Sequence, residues 1–282
     1  MMAMNIKSVP ENVLEQIIAD YKNGKSMRQI EKDYNVTRQS VANFLERKEI
    51  KTQKGNHHRT YYHNFDFFQN IDTEEKANWL GFMFADGYIV NYDGKYGEDK
   101  FGITLSTSDI DTLEKFKKSI SATNPITDVS SNGRVLSRIL LSSQKTVDDL
   151  ISHGCVKQKS LILQPPIGVP QELIHHFIRG FFDGDGSIYY NKSAFERHKT
   201  WNAPSYSINI TSTKEMIEWI IDTVGFGNIY NEKRREKTWY YQQSGNNKVK
   251  AFCDFIYKDA TIFMERKYKL YQDLLNVSKD RV

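Results

Sequence analysis

Between Trp79 and Val90 the chain reads WLGFMFADGYIV, an unbroken apolar and small-residue run that stops on Asp86 and Gly87. A second run, FIRGFFDGDGSI over 177–188, repeats the pattern. With Asp86 set over Asp185, Gly81 falls on Gly180, Ala85 on Gly184 and Gly87 on Gly186. Each run has a helix start before it: Asp72 and Glu75 have capping-box spacing, and Pro170 suits an opening turn. The pattern predicts a helix over about 73–85, roughly 20 Å long. Its end has two readings: Gly87 is a left-handed helix stop, or the helix holds the Asp86 carboxylate in place for chemistry.

The segments after the two runs also match. FGITLSTSDIDTLEKFKKSI (101–120) and YSINITSTKEMIEWIIDTVG (206–225) each read as a strand and then a helix, with Ser106 or Ser108 and Thr211 or Thr213 as caps. A strand pair comes next in each half: ITDVSSNGRVLSRILLS, turning at Asn132-Gly133, and GNIYNEKRREKTWYYQQS. Closing helices are predicted near 145–153 and 247–257. The fold class is therefore α+β, with two pseudo-symmetric αββαββα halves, 71–165 and 166–282.

Ala77, Gly81 and Ala85 recur every fourth residue and form a small-residue stripe on one helix face, as Gly180 and Gly184 do on the other helix. Such stripes let two helix backbones approach closely. Paired this way, the helices bring Asp86 and Asp185 to one end. Two carboxylates about 4 Å apart repel by ~4 kcal/mol at an effective dielectric of 20, so a positive group belongs between them, and a divalent metal on oxygen ligands is the natural candidate.

Residues 1–47 form a separate all-α unit. Leu14, Ile17, Ile18 and Tyr21 make a helical stripe, Ser26 and Gln29 have capping-box spacing, and Thr37 is placed to cap a third helix. A basic linker, 48–70, comes next. The net charge of the 282 residues is +4, and the stretch from Arg47 to Thr60 holds that excess in Arg47, Lys48, Lys51, Lys54 and Arg59 against Glu49. This is a common footprint of polyanion binding. No apolar run approaches the roughly 18 residues of a membrane span. The N-terminus has no apolar signal core, so an unexported protein of the cytoplasm, at the nucleoid of a bacterial host, is expected. Cys155 and Cys253 are expected to be reduced thiols.

LGFMFADG and IRGFFDGDG resemble the two motifs of the single-chain LAGLIDADG homing endonucleases, over about 70–275. The resemblance implies paired motif helices and two four-stranded sheets forming a saddle that reads a long, asymmetric DNA site as a monomer. It further implies that Asp86 and Asp185, with the backbone carbonyls of Ala85 and Gly184, hold Mg²⁺. Lys145 and Lys248 are the candidates for the family's basic residue that organises the catalytic water. The pattern from Ser26 through Tyr34-Asn35-Val36-Thr37 to Leu45 resembles the helix-turn-helix of resolvases and invertases. That places Arg38, Gln39, Ser40 and Asn43 at the major groove, with Arg47, Lys51, Lys54 and Arg59 tracking phosphates or the minor groove.

Arg134, Arg138, Lys233, Arg234 and Arg235 are the expected contacts from the sheets. Phe84 stands where the name motif has Asp, whereas Asp183 keeps it, and Arg179 replaces a small residue that need not face the partner helix. An EF-hand at DGDGS is excluded because Ile188 and Ala194 stand where Gly and Glu are required. Zinc at His57, His58 and His63 lacks cysteine partners, and Cys253 lacks the partners of a thiol hydrolase. The expected function is Mg²⁺-dependent cleavage of double-stranded DNA at one site by a free-standing or intron-encoded enzyme of a phage or bacterium. The alternative is a cleavage-inactive DNA-binding regulator or an RNA maturase. Retention of both motif carboxylates favours the nuclease.

Overall fold

The computed structural model describes residues 6, 9–22, 25, 27–48, 50, 60–90, 98–157, 159–190, 205–231 and 237–279. The chain divides into two compact units, Met1–Thr60 and Tyr61–Val282. In the first, α1 (Glu11–Lys22), α2 (Met27–Tyr34) and α3 (Arg38–Arg47) close over a core of Ile17, Ile30, Val36, Val41, Phe44 and Leu45. Thr37 caps α3, its side chain accepting from Ser40 N at 3.2 Å. The turn into α3 passes through Asn35 in the left-handed region, a conformation asparagine tolerates better than most residues. Ser26 of the expected capping box lies outside the described residues.

The larger unit is built twice over. The first half runs α4 (Glu74–Ala85), β1 (Gly87–Val90), β2 (Lys100–Ser106), α5 (Ile110–Ser119), β3 (Thr127–Ser131), β4 (Arg134–Ser142) and α6 (Gln144–Ser152). The second runs α7 (Ile174–Asp185), β5 (Gly186–Tyr190), β6 (Tyr206–Ser212), α8 (Lys214–Val224), β7 (Asn228–Asn231), β8 (Trp239–Ser244) and α9 (Asn246–Ile256), and adds α10 (Glu265–Lys279). The sheets have matching antiparallel orders, β1-β2-β4-β3 and β5-β6-β8-β7. The expected α+β duplication is therefore the observed fold. Asn132 and Gly133 both take positive φ, 49° and 74°, as a two-residue hairpin turn requires.

Alternation along each strand fixes which face is buried. Phe101, Ile103, Leu105, Ile139 and Leu141 point into the core of the first half, and Ile208, Ile210 and Tyr241 into that of the second. Thr104 and Arg138 fall on the opposite face of the first sheet, paired in register. In the second sheet Ser187, Asn209, Gln242 and Asn228 stand in one row across all four strands.

Two details of the first motif differ from the sequence reading. The cap of α4 is Thr73, which accepts from Lys76 N at 3.3 Å, and Asp72 instead pairs with Lys76 Nζ at 2.7 Å. Gly87 is not a left-handed stop: it opens β1, and a Cβ there would lie 2.6 Å from Met83 Cα. Glycine is needed for closeness to the helix end, not for its freedom of φ.

Arg179 also corrects an expectation, because it does face the partner helix. It is fully buried and donates to Asn78 Oδ1 at 3.0 Å and Glu74 Oε1 at 2.8 Å on α4, to Ile256 O at 3.1 Å and to His176 Nδ1 at 2.6 Å. Glu74 in turn accepts from the Thr261 N–H at 2.6 Å and its hydroxyl at 2.8 Å. One guanidinium thus joins both motif helices to the segment after α9. Removing it strands a partly buried carboxylate. Arg179→Ala is expected to cost about 3–5 kcal/mol in denaturant unfolding, and Arg179→Met, which fills the space without the charge, to cost no less than half of that.

A guanidinium cannot accept a hydrogen bond, so His176 Nδ1 must, and the ring is neutral. Burial and the Arg179 charge push His176 down to about 4, from an ordinary value of 6.5. The folded state therefore binds fewer protons here than the unfolded chain. This stability is present in full above about pH 6.5 and is lost as pH falls through about 4, a total on the order of 2 kcal/mol. Melting curves between pH 7 and 4.5 are expected to show this loss, and His176→Gln, whose amide oxygen can still accept from Arg179, is expected to flatten it.

Candidate functional site

The two motif helices meet backbone to backbone. A Cβ at Gly81 would sit 2.8 Å from Phe181 N and collide with Phe177 O, and one at Gly180 would sit 2.9 Å from Phe82 N and collide with Asn78 O. At Gly184 it would collide with the Ala85 side chain. This contact fixes the helix ends, and with them Asp86, the C-cap of α4, and Asp185, the last residue of α7.

The two carboxylates share one electrostatic environment. Burial raises Asp185 to about 6, and the Asp86 charge is the next largest cause, with Lys159 and Lys267 opposing both. Burial likewise raises Asp86, against Lys267, Lys159 and Arg266. Asp185 is open on one side, to a cavity of about 630 Å³ that Ala85, Lys159, Leu163, Thr211 and Lys237 also line. Asp185 is the more exposed of the two carboxylates, and Asp86 is half-buried.

The two lysines are the part of the site that the sequence reading missed. Lys159, in a single turn after α6, donates to Met83 O at 2.6 Å and to Gly87 O. Lys267, in the first turn of α10 and fully buried, donates to Phe182 O at 2.6 Å, Asp183 O at 2.7 Å and Gly186 O at 2.5 Å. Each amine therefore ties the C-terminal end of its motif helix to the next strand, beneath the carboxylate. Burial lowers Lys267 to about 8 and lowers Lys159 as well. The lysines are not at matching offsets from their motifs, which is why a search for a repeat could not find them. A cation in the first turn of a helix, against its dipole, was the one local oddity at Lys267.

Lys145 and Lys248 are placed elsewhere. Lys145 is exposed on α6 and pairs with Asp66 and Asp149, both at 2.9 Å. Lys248 is exposed in the first turn of α9. Neither is among the charges that act on Asp86 or Asp185.

Among the described residues no group of three or more His, Cys, Asp or Glu side chains is gathered to hold a metal. The site offers two carboxylates, whose mutual repulsion a divalent ion would relieve, and main-chain oxygens at the ends of two helices. Hard oxygen donors with few protein carboxylates suit Mg²⁺, which keeps several waters. Cys155 and Cys253 are free and buried, and His63 bonds Thr146 Oγ1 at 3.2 Å.

The expected DNA contacts divide into three groups. On α3, Arg38, Gln39, Asn43 and Arg47 are exposed and Ser40 half-buried. Arg38 is paired with Glu31 at 3.0 Å, Gln39 with Asn43 at 2.9 Å, and Arg47 with the Asn43 carbonyl at 3.1 Å. On the first sheet, Arg134 is exposed beside the hairpin turn, and Arg138 stands on the outer face with a buried Nε that has no hydrogen-bond partner among the described residues. Lys51, Lys54, Arg59, Lys233, Arg234 and Arg235 lie outside the described residues.

A doubled αββαββα unit hung on two glycine-paired helices, with a carboxylate at the end of each, defines a class of two-motif α+β proteins. In sequence, residues 178–278, from the second motif into α10, match the LAGLIDADG endonuclease model. Among solved structures, the meganuclease I-SmaMI bound to uncleavable DNA is 18% identical, over 71% of this chain and 87% of its own, at a TM-score of 0.49. The I-LtrWI LAGLIDADG homing endonuclease bound to target DNA is 13% identical, over 73% and 90%, also at 0.49. The LAGLIDADG meganuclease I-AabMI bound to uncleaved DNA is 18% identical, over 72% and 89%, at 0.48. No curated protein matches the sequence. Among the described residues no helix is long and apolar enough to cross a membrane.

Proposed function

We propose that the protein is a site-specific, Mg²⁺-dependent endonuclease that cuts both strands of a long, asymmetric DNA target as a monomer. The observation that carries this is the pair of electrostatically coupled carboxylates, Asp86 half-buried and Asp185 facing the cavity, delivered to one place by two helices that meet backbone to backbone through Gly81 and Gly180. A regulator that had lost cleavage would have no need of a charge arrangement that costs stability.

Asp86 and Asp185, with the carbonyls of Ala85 and Gly184, would hold the metal. When bound, it supplies Lewis-acid activation of water and stabilisation of the leaving 3′ oxygen. Lys159 and Lys267 keep positive charge beside both carboxylates and fix the helix-to-strand turns that carry them. Lys159 uses two of its three donors on carbonyls and lines the cavity with Asp185, so it is the amine placed to meet a phosphate.

The outer faces of the sheets would read bases. The row Ser187, Asn209, Gln242 and Asn228 is uncharged and amide-rich, and Asn or Gln pairs well with adenine. Arg134 and Arg138 on the first sheet, and Lys233, Arg234 and Arg235 between β7 and β8, would add backbone contacts. Residues 1–47 would lengthen the site through Arg38, Gln39, Ser40 and Asn43, with Arg47, Lys51, Lys54 and Arg59 tracking phosphates and making affinity salt-sensitive.

The test is cleavage of a randomised and a genomic DNA pool, with Mg²⁺ or with EDTA. One long asymmetric site cut on both strands with Mg²⁺, and intact with EDTA, is the expected result. Specific retention of DNA without a cut under either condition would replace the nuclease with the regulator.

A further inference from the structure

Asp183 lies in the last turn of α7, two residues before its end, in the motif position that Phe84 occupies in the first half. It is fully buried. Its Oδ2 accepts from Met264 N at 2.9 Å, and its Oδ1 has no hydrogen-bond partner among the described residues. Met264 is the residue at which α10 begins: its carbonyl accepts from the N–H groups of Lys267 and Tyr268, both at 3.1 Å. A methionine side chain cannot cap a helix. The carboxylate that caps α10 therefore comes from the second motif, 81 residues earlier in the chain. The same turn of α10 carries Lys267, so the cap and the buried amine are held together.

Among the described residues the first half shows no such device. Phe84 packs on Phe177, ring centroids 5.1 Å apart, and Lys159 stands in a single turn rather than at the head of a long helix. The two lysines are thus held by different means, and only Lys267 has all three of its donors on the carbonyls of its motif.

We infer that Asp183 is a positioning residue: by capping α10 it holds Lys267 against the end of the second motif, and through it the turn that carries Asp185, so that the two half-sites depend on different supports. The consequence for cleavage rests on the endonuclease reading; the structural part does not.

The first measurement needs no DNA. The protein is treated with an amine-acetylating reagent, and the modification rates of Lys159 and Lys267 are tracked by mass spectrometry. In the wild type Lys267 is protected. In Asp183→Ala its rate is expected to rise at least tenfold while that of Lys159 changes less than about twofold. Asp183→Asn, whose amide oxygen can still accept from Met264 N, is expected to restore most of the protection. Should Asp183→Ala not fold, Asp183→Ser, which keeps a polar group but falls a bond short of the Met264 N–H, is read in the same way. An unchanged Lys267, an equal rise at both lysines, or an Asn variant no better than the Ala variant would each overturn the assignment.

The second measurement is strand-resolved cleavage of the target duplex. Asp183→Ala is expected to slow one strand's cut at least tenfold more than the other's, leaving a nickase. Equal slowing of both strands would overturn the unequal support. If the wild type cuts nothing, the endonuclease reading falls, and the labelling still decides the role of Asp183.

Discussion

Gly180→Val leaves a protein that does not hold its fold: far-ultraviolet circular dichroism is expected to show no cooperative melt near that of the wild type. At this position a Cβ alone would collide with the Asn78 carbonyl and lie 2.9 Å from Phe82 N. Both obstacles are backbone of the partner helix, so no side chain can rotate out of the way. Relief requires the two helices to move apart. That opens the centre of a core shared by both halves, where Phe82, Phe84, Phe177 and Phe181 are fully buried. Overpacking of this kind costs more than the 1–3 kcal/mol of an extra methylene, and a loss beyond about 4 kcal/mol consumes most of the stability of an ordinary domain. Gly225→Ala is the control. Gly225 has φ 86° and nothing within 4 Å of a built Cβ, so its cost is backbone strain alone, about 1 kcal/mol. If Gly180→Val melts like Gly225→Ala, the helices are not paired through glycine.

The second large effect is on activity. Asp86→Asn or Asp185→Asn is expected to lower the rate of double-strand cleavage by on the order of 10³-fold or more, because each amide removes an anionic oxygen donor worth several kcal/mol at a metal-assisted step. The same changes should not harm the fold. In the metal-free protein, burial and Asp86 raise Asp185 to about 6, from an ordinary 3.8. The folded state therefore holds this proton more tightly than the unfolded chain does. Ionisation costs stability, which falls as pH rises from about 4 through 6 and stays reduced above that. Asp185→Asn removes this cost. Without metal at pH 7.5 it should raise the melting temperature by about 2–4 °C, the equivalent of about 1 kcal/mol once screening on the cavity side is allowed for. Lower stability together with lower activity would mean that Asp185 serves the fold rather than a metal. A more stable and inactive variant is the signature expected of a site held at a cost.

Much of this arrangement is legible in the sequence. The repeated WLGFMFADG and FIRGFFDGDG runs place two carboxylates at the ends of two helices, and the grammar after each run gives the strand and helix order. Caps at Thr37 and Thr213, and the turn at Asn132-Gly133, stand where local chemistry puts them. These features depend on residues within one turn or one hairpin of each other, and short-range sterics and hydrogen bonding decide them.

Other features could not be read, because their partners are distant in the chain or their reason is a tertiary contact. Gly87 looked like a helix stop, but its reason is the closeness of Met83. Arg179 looked free to face away from the partner helix, yet it is the buried link from α7 to Glu74 and Asn78. Lys145 and Lys248 have the right spacing from their strands and face solvent, whereas Lys159 and Lys267 come from segments that no repeat aligns and reach the motif carbonyls. Sequence by itself determined the doubled αββαββα unit, the glycine stripes and the two carboxylates, since periodicity and local propensity suffice for these. Tertiary structure alone decided which cations stand beside the carboxylates, because a buried charge is placed by whatever distant carbonyls and counter-charges satisfy it, and chain order carries no record of that choice.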